Sequence, residues 1–151
     1  LLNSSGEVVG INTAVSQGAE NISFAIPVED VKFALKSYEK NGAILRPFLG
    51  IRYGSINDEV KKEQGLPYNY GAILMKGPKN EAAVSAGSAS AKAGLQEGDI
   101  ILELNGNKIT PENDIVTLMR DLDVGKTVEL KVWKKSTRKE VTIKITLGQI
   151  R

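Results

Sequence analysis

Apolar residues follow a two-residue period at the start of the chain, then change to a helical one. Residues 7–15 read Glu-Val-Val-Gly-Ile-Asn-Thr-Ala-Val, a strand pattern. Asn3-Ser4-Ser5-Gly6 before them supplies hairpin-turn chemistry. A polar, glycine-containing loop at 16–21 leads to a second expected strand at 22–26, which Pro27 stops before entering the first turn of a helix. Over 28–41, Val28, Val31, Leu35 and Tyr38 recur at 3-4-3 spacing, which predicts an amphipathic helix. Glu29 and Asp30 suit its positive end, Lys36 and Lys40 its negative end, and Gly42 the left-handed cap. Residues 43–47 read as a short connector, and the domain boundary is placed there.

From Phe48 the pattern is that of a compact α+β unit. It predicts strands at 49–56, 71–76 and 99–104, and a closing hairpin of 127–133 with 139–147. Short helices are expected at 57–64, capped by Asn57 and ended by Gly65, and at 88–93, ended by Gly94. A longer helix is expected at 112–122 with Pro111 near its start. Asn105-Gly106 is a tight-turn signal. The 77–87 stretch is rich in small residues and turns.

Composition narrows the chemistry. The chain has 151 residues, 41% hydrophobic and 25% charged, as in an ordinary globular protein. Its 20 basic and 18 acidic residues leave a net charge of +2, too balanced to point to nucleic acid. With no cysteine there is no disulfide, thiolate nucleophile or Cys-ligated zinc. With no histidine there is no Ser-His-Asp triad within these residues. No catalytic residue, metal ligand set or cofactor site is assigned. No run approaches the roughly 20 apolar residues of a membrane span, and a start at Leu-Leu-Asn reads as a fragment.

Three short matches fail on context. Gly125-Lys126-Thr127 matches the end of a phosphate-binding loop, but Arg120 stands where its first glycine belongs and the order is helix to strand. Ser37 and Lys40 fit S-x-x-K, yet they lie on an amphipathic helix without the partner motifs. Asp121 and Asp123 lack the ligand series of a calcium loop.

The run Ala91-Lys92-Ala93-Gly94-Leu95-Gln96-Glu97-Gly98-Asp99-Ile100-Ile101, followed by Asn105-Gly106, closely resembles the signature of bacterial PDZ domains. Arg46-Pro47-Phe48-Leu49-Gly50-Ile51 resembles the loop that opens the PDZ domain of HtrA/Deg (DegP-like) serine proteases. Leu1-Leu2-Asn3, Gly6 to Thr13 and Phe24-Ala25-Ile26-Pro27 resemble the last part of that family's trypsin-like domain. The resemblance implies three parts: barrel strands at 1–27, a linker helix and connector at 28–46, and a PDZ domain at 47–151. The expected fold is therefore mixed, an all-β tail followed by an α+β PDZ domain, a small partly open barrel or sandwich with two helices. Family members carry the nucleophile just before the segment matching Leu1-Leu2-Asn3, and their His and Asp further upstream. Ser4 and Ser5 are turn residues, and the chain alone is expected to be inactive. Residues 11–13 and 23–25 either border the specificity pocket of an intact enzyme or are barrel core.

The resemblance also implies how such a chain binds. A PDZ domain adds a peptide strand to its sheet and holds the terminal carboxylate on loop N–H groups. Phe48, Leu49, Gly50 and Ile51 are the candidate loop, the glycine admitting close approach of the carboxylate. Leu49 and Ile51 either floor an apolar pocket or are strand core. On the expected 112–122 helix, Ile115, Leu118 and Leu122 form a core stripe. Val116 and Met119 form a second patch, with Glu112 a turn before Val116. That patch either lines the groove, where Met suits a permissive pocket, or belongs to a broadly buried helix. An apolar C-terminal side chain would contribute ~1.5–3 kcal/mol, giving affinity of about micromolar or weaker.

Implied partners are unfolded or C-terminal peptides, within a homotrimer or larger assembly in the bacterial envelope or periplasm, and a membrane anchor upstream is left open. A non-catalytic peptide-binding adaptor is the alternative. The 77–87 loop is longer than usual for the family, and Ser88-Ala89-Ser90 replaces its Ser-Pro pair.

Overall fold

A computed structural model describes residues 1–15 and 23–150, which fall into two compact units, Leu1–Leu45 and Arg46–Arg151. The expected loop at 16–21 and Ile22 lie outside the described residues.

In the first unit the Asn3–Gly6 turn forms as its sequence predicts. The Asn3 carboxamide oxygen accepts the N–H groups of Ser5 and Glu7 at 3.0 and 2.9 Å, and Gly6 takes φ +79°. Regular pairing starts later than expected, with β1 (Gly10–Val15) antiparallel to β2 (Ser23–Pro27) and a bulge between Asn12 and Ala14. Pro27 ends β2 and, at φ −58° and ψ 146°, enters α1 (Val28–Asn41) without donating an N–H. Gly42 closes α1 at φ +66°, its N–H donating to Tyr38 O at 2.8 Å. The buried Ser37 hydroxyl accepts Leu45 N–H at 2.8 Å and ties the connector back onto the helix. The apolar stripe of α1 is not covered along its length: Leu35 and Tyr38 are exposed, as are Ile11, Phe24 and Ile26 on the hairpin.

The second unit is built on one sheet in the order β4 (Tyr53–Ser55), β5 (Ala72–Leu74), β6 (Ile100–Leu104), β8 (Thr127–Lys134) and β9 (Lys139–Thr146), with β7 (Asn107–Lys108) also paired to β6. A separate ladder joins β3 (Arg46–Phe48) to β10 (Gly148–Ile150). Asn105 and Gly106, at φ +50° and +77°, make the tight turn between β6 and β7. β6 is apolar without alternation because both faces of the sheet are covered there. Ile101 and Leu104 join Leu49, Leu130, Val132 and Leu147 on one side. Ile100 and Leu102 join Ile56 on the other, roofed by Leu66, Tyr68, Tyr70 and Trp133.

Among the described residues three helices accompany this sheet, at the three places where the residue pattern predicts them and one more than the two that the family resemblance implies. α2 (Asp58–Gln64) has the expected caps, Asn57 accepting Val60 N–H and Gly65 at φ +62°. α3 (Ala89–Lys92) is capped by Ser88. The helix expected at 112–122 is only α4, Ile115–Met119. The Asp114 carboxylate caps Thr117 N–H at 2.8 Å, and a Thr110–Asn113 turn claims the preceding residues, so Glu112 is not on the helix. The strand expected at 49–56 forms only from Tyr53, because the carbonyls of Leu49 and Gly50 bond elsewhere. Among the described residues no helix is long and apolar enough to cross a membrane.

Candidate peptide-binding groove

The loop 49–52 is held from one side. Leu49 O accepts Ser90 N–H at 3.2 Å, Gly50 O accepts Ser85 N–H at 2.8 Å, and Arg52 N–H donates to Ala83 O at 2.7 Å. In a planar trans peptide the carbonyl and the following N–H point in opposite directions. The N–H groups of Gly50 and Ile51 are therefore turned away from residues 85 and 90. By the same rule the Ile51 carbonyl points away from Ala83. Two successive N–H groups on one side of a glycine turn make an anion-binding concavity.

Gly50 is required here, but for a different reason from the one expected. It has φ +82°, and a Cβ on it would lie 2.2 Å from the Ser88 Cβ. The glycine lets the loop sit on the start of α3, behind the concavity, rather than clearing space for a ligand.

Beyond the loop, β4 is the edge of its sheet. Arg52 O accepts Met75 N–H at 3.1 Å and Ile56 N–H donates to Gly71 O at 2.9 Å. Even-numbered residues thus face β5, and antiparallel alternation directs the backbone groups of Ile51, Tyr53 and Ser55 to the open edge. Ile51 forms its isolated bridge with Val84 in the register that leaves its own N–H and C=O unused by that pair. The long 77–87 loop therefore has a defined place, its 83–85 segment backing the 49–52 loop. Arg52 fastens it further, donating to Ala82 O at 2.8 Å.

Side chains of Ile51 and Tyr53 pack on the same core as α4. Leu49 is buried and Ile51 half-buried. Phe48 lies at the end of β3, paired with Gly148, rather than in the loop itself. The two helix candidates are separated. Met119 is 8% exposed and part of the core with Ile115, whereas Val116 is 63% exposed. Ile115 and Met119, at i, i+4, lie on the face turned to the core, and Val116 turns outward.

Tyr53 and Asp114 were not singled out by sequence. The Tyr53 hydroxyl lies 3.4 Å from the Asp114 carboxylate, joining β4 to the cap of α4. Burial pushes the Tyr53 phenol above its ordinary range, the Asp114 charge adds to this, and the Val116 N–H opposes it. The i, i+2 step from Ile51 to Tyr53 and an Asp three residues before Thr117 were the available signals. Among the described residues no cluster of three or more Asp and Glu is placed to hold a metal ion.

Similarity to other proteins follows the same outline. A protein from Bartonella henselae named "Probable periplasmic serine endoprotease DegP-like" is 32% identical over 146 residues, covering 93% of this chain and 27% of its own length. The protein of the same name from Rhizobium meliloti is 33% identical, covering 95% and 28%. The chain thus spans less than a third of these relatives. Among solved structures, an HtrA-type protease AlgW with decapeptide superposes with TM-score 0.72 at 22% identity, over 97% of this chain and 43% of that one. A serine endoprotease from Yersinia pestis gives 0.64 at 23% identity, over 99% and 46%. The sequence model of the PDZ domain matches residues 47–145. With that match over most of its length, the loop before β4 and the strand edge beside it, the chain belongs to the PDZ-domain family.

Proposed function

We propose that residues 47–151 bind the free C-terminus of a peptide, as the ligand-recognising part of an HtrA/Deg-type serine endopeptidase. The observation that carries this is the pair of Gly50 and Ile51 N–H groups turned outward at the head of the β4 edge. A terminal carboxylate sits on those N–H groups, the preceding residues pair antiparallel with Ile51 and Tyr53, and the last side chain enters beside Leu49, Ile51 and Met119. Phe48 flanks the loop. Val116 contacts the ligand from the exposed side of α4. Each apolar side chain so buried contributes ~1.5–3 kcal/mol before ordering costs, so affinity is about micromolar.

Residues 1–27 are the last strands of a trypsin-like barrel and 28–46 a linker. Exposed Ile11, Phe24 and Ile26 on the β1–β2 hairpin support this, since such a face is ordinarily covered by further strands. The names of the relatives support a periplasmic serine endoprotease as the parent, and the family resemblance supports unfolded or C-terminal peptides as its ligands and a homotrimer or larger assembly.

The test is fluorescence anisotropy with the 151-residue chain and a peptide ending in an apolar residue. The free acid is expected to bind at least tenfold tighter than its C-terminal amide. Equal affinity would remove the carboxylate site.

A further inference from the structure

We propose that Tyr53 and Asp114 form a subsite selecting a cationic side chain, Lys or Arg, at the third residue from the end of the bound peptide. This rests on the groove described above and names what the ligand carries. In an extended ligand, side chains alternate and every second residue returns to the same face, about 7 Å further on. That step equals the step from Ile51 to Tyr53 along β4. When the last side chain lies beside Ile51, the third-from-last lies beside Tyr53.

What it meets there is chemically specific. Asp114 uses Oδ1 to cap Thr117 N–H at 2.8 Å, while Oδ2 faces the Tyr53 hydroxyl at the long distance of 3.4 Å. A carboxylate oxygen so engaged keeps acceptor capacity for an ammonium or guanidinium. The half-buried Tyr53 ring lies beside it, an aromatic wall against which the aliphatic stem of Lys or Arg packs. An acidic ligand side chain would meet the Asp114 carboxylate unfavourably.

The experiment uses the whole chain and free-acid peptides that differ only at the third-from-last residue, with Lys, Ala or Glu there. Lys is expected to bind at least threefold tighter than Ala and Glu weaker than Ala, with the Lys advantage shrinking as salt is raised. Asp114→Asn keeps a capping side chain and is expected to bring the Lys-to-Ala ratio below twofold. If circular dichroism shows that this variant is unfolded, the wild-type Lys, Ala and Glu series and its salt dependence decide alone. A wild-type Lys-to-Ala ratio near one, or a ratio preserved in folded Asp114→Asn, would overturn the subsite. Amidated peptides binding as well as free acids would instead overturn the groove itself.

Discussion

Gly50 and Ser88 stand so close that a β-carbon on the glycine would fall 2.2 Å from the serine Cβ. Gly50→Ala combines this clash with a left-handed backbone that costs ~1–3 kcal/mol for other residues. Urea denaturation is expected to show a loss of about that size or more, with peptide binding weakened at least tenfold. Ser88→Gly costs only a few tenths of a kcal/mol as a cap. Adding it should recover part of the Gly50→Ala loss but not all, because the φ strain remains. Full recovery would mean that the backbone conformation is unimportant.

Asp99 is 1% exposed and satisfies three donors: Gln96 N–H at 2.9 Å, Lys135 N–H at 3.0 Å and the Lys134 ammonium. Lys134 also donates to Gly94 O at 2.7 Å, so one side chain pins the α3–β6 turn to β8. Asp99→Ala strands those donors and is expected to cost about 3–5 kcal/mol, read as a lower urea midpoint. Asp99→Asn, which keeps an acceptor, should cost less. A near-neutral Asp99→Ala would refute the role.

Ser90 behaves in the opposite way. Its side chain is fully buried, and its hydroxyl has no partner among the described residues. An unsatisfied buried hydroxyl costs about 1–3 kcal/mol, so Ser90→Ala is expected to raise the midpoint of unfolding. A lower midpoint would show that the hydroxyl is satisfied in solution.

The phenol of Tyr68 donates to Glu140 at 2.5 Å and, held mainly by that bond, is pushed up to about 12 from 10.0. Between those values the unfolded chain has lost the proton and the folded chain keeps it. The Tyr68 contribution to stability is therefore whole below pH 10 and falls as pH rises toward 12. Glu140 is held below its ordinary range, first by Tyr68 and then by Lys131. Its contribution is present at neutral pH and lost as acid protonates it in the folded state. Phenolate absorbance should show a step near pH 12 that Tyr68→Phe removes; its survival in the variant would reassign it.

Local signals were readable and long-range ones were not. The α1 limits, the Gly42 and Gly65 caps, the Asn57 cap and the Asn105-Gly106 turn each depend on residues within a few positions. The strand expected at 49–56 failed at its start because Leu49 and Gly50 bond to residues 90 and 85, more than thirty positions away. The 112–122 helix was overextended because apolar spacing outweighed a local competitor, the Asp114 cap. The same oversight hid the contact between Tyr53 and Asp114. Loop residues 49–51 follow from the family resemblance, while the direction of their N–H groups depends on bonds to Ser85 and Ser90, far away in sequence.

The β4 edge is three residues long, with Ile51 just ahead of it, and it ends in the turn at Gly50. Such a ladder carries only a few hydrogen-bond pairs, too little to hold one copy of the chain to another. Edges of this kind do not grow into fibrils. A passing strand gains little here from backbone pairing alone; in the proposed binding mode the rest comes from a charged end seated at Gly50. Brevity thus serves as a safeguard, leaving an edge open to solvent that backbone pairing alone holds only weakly.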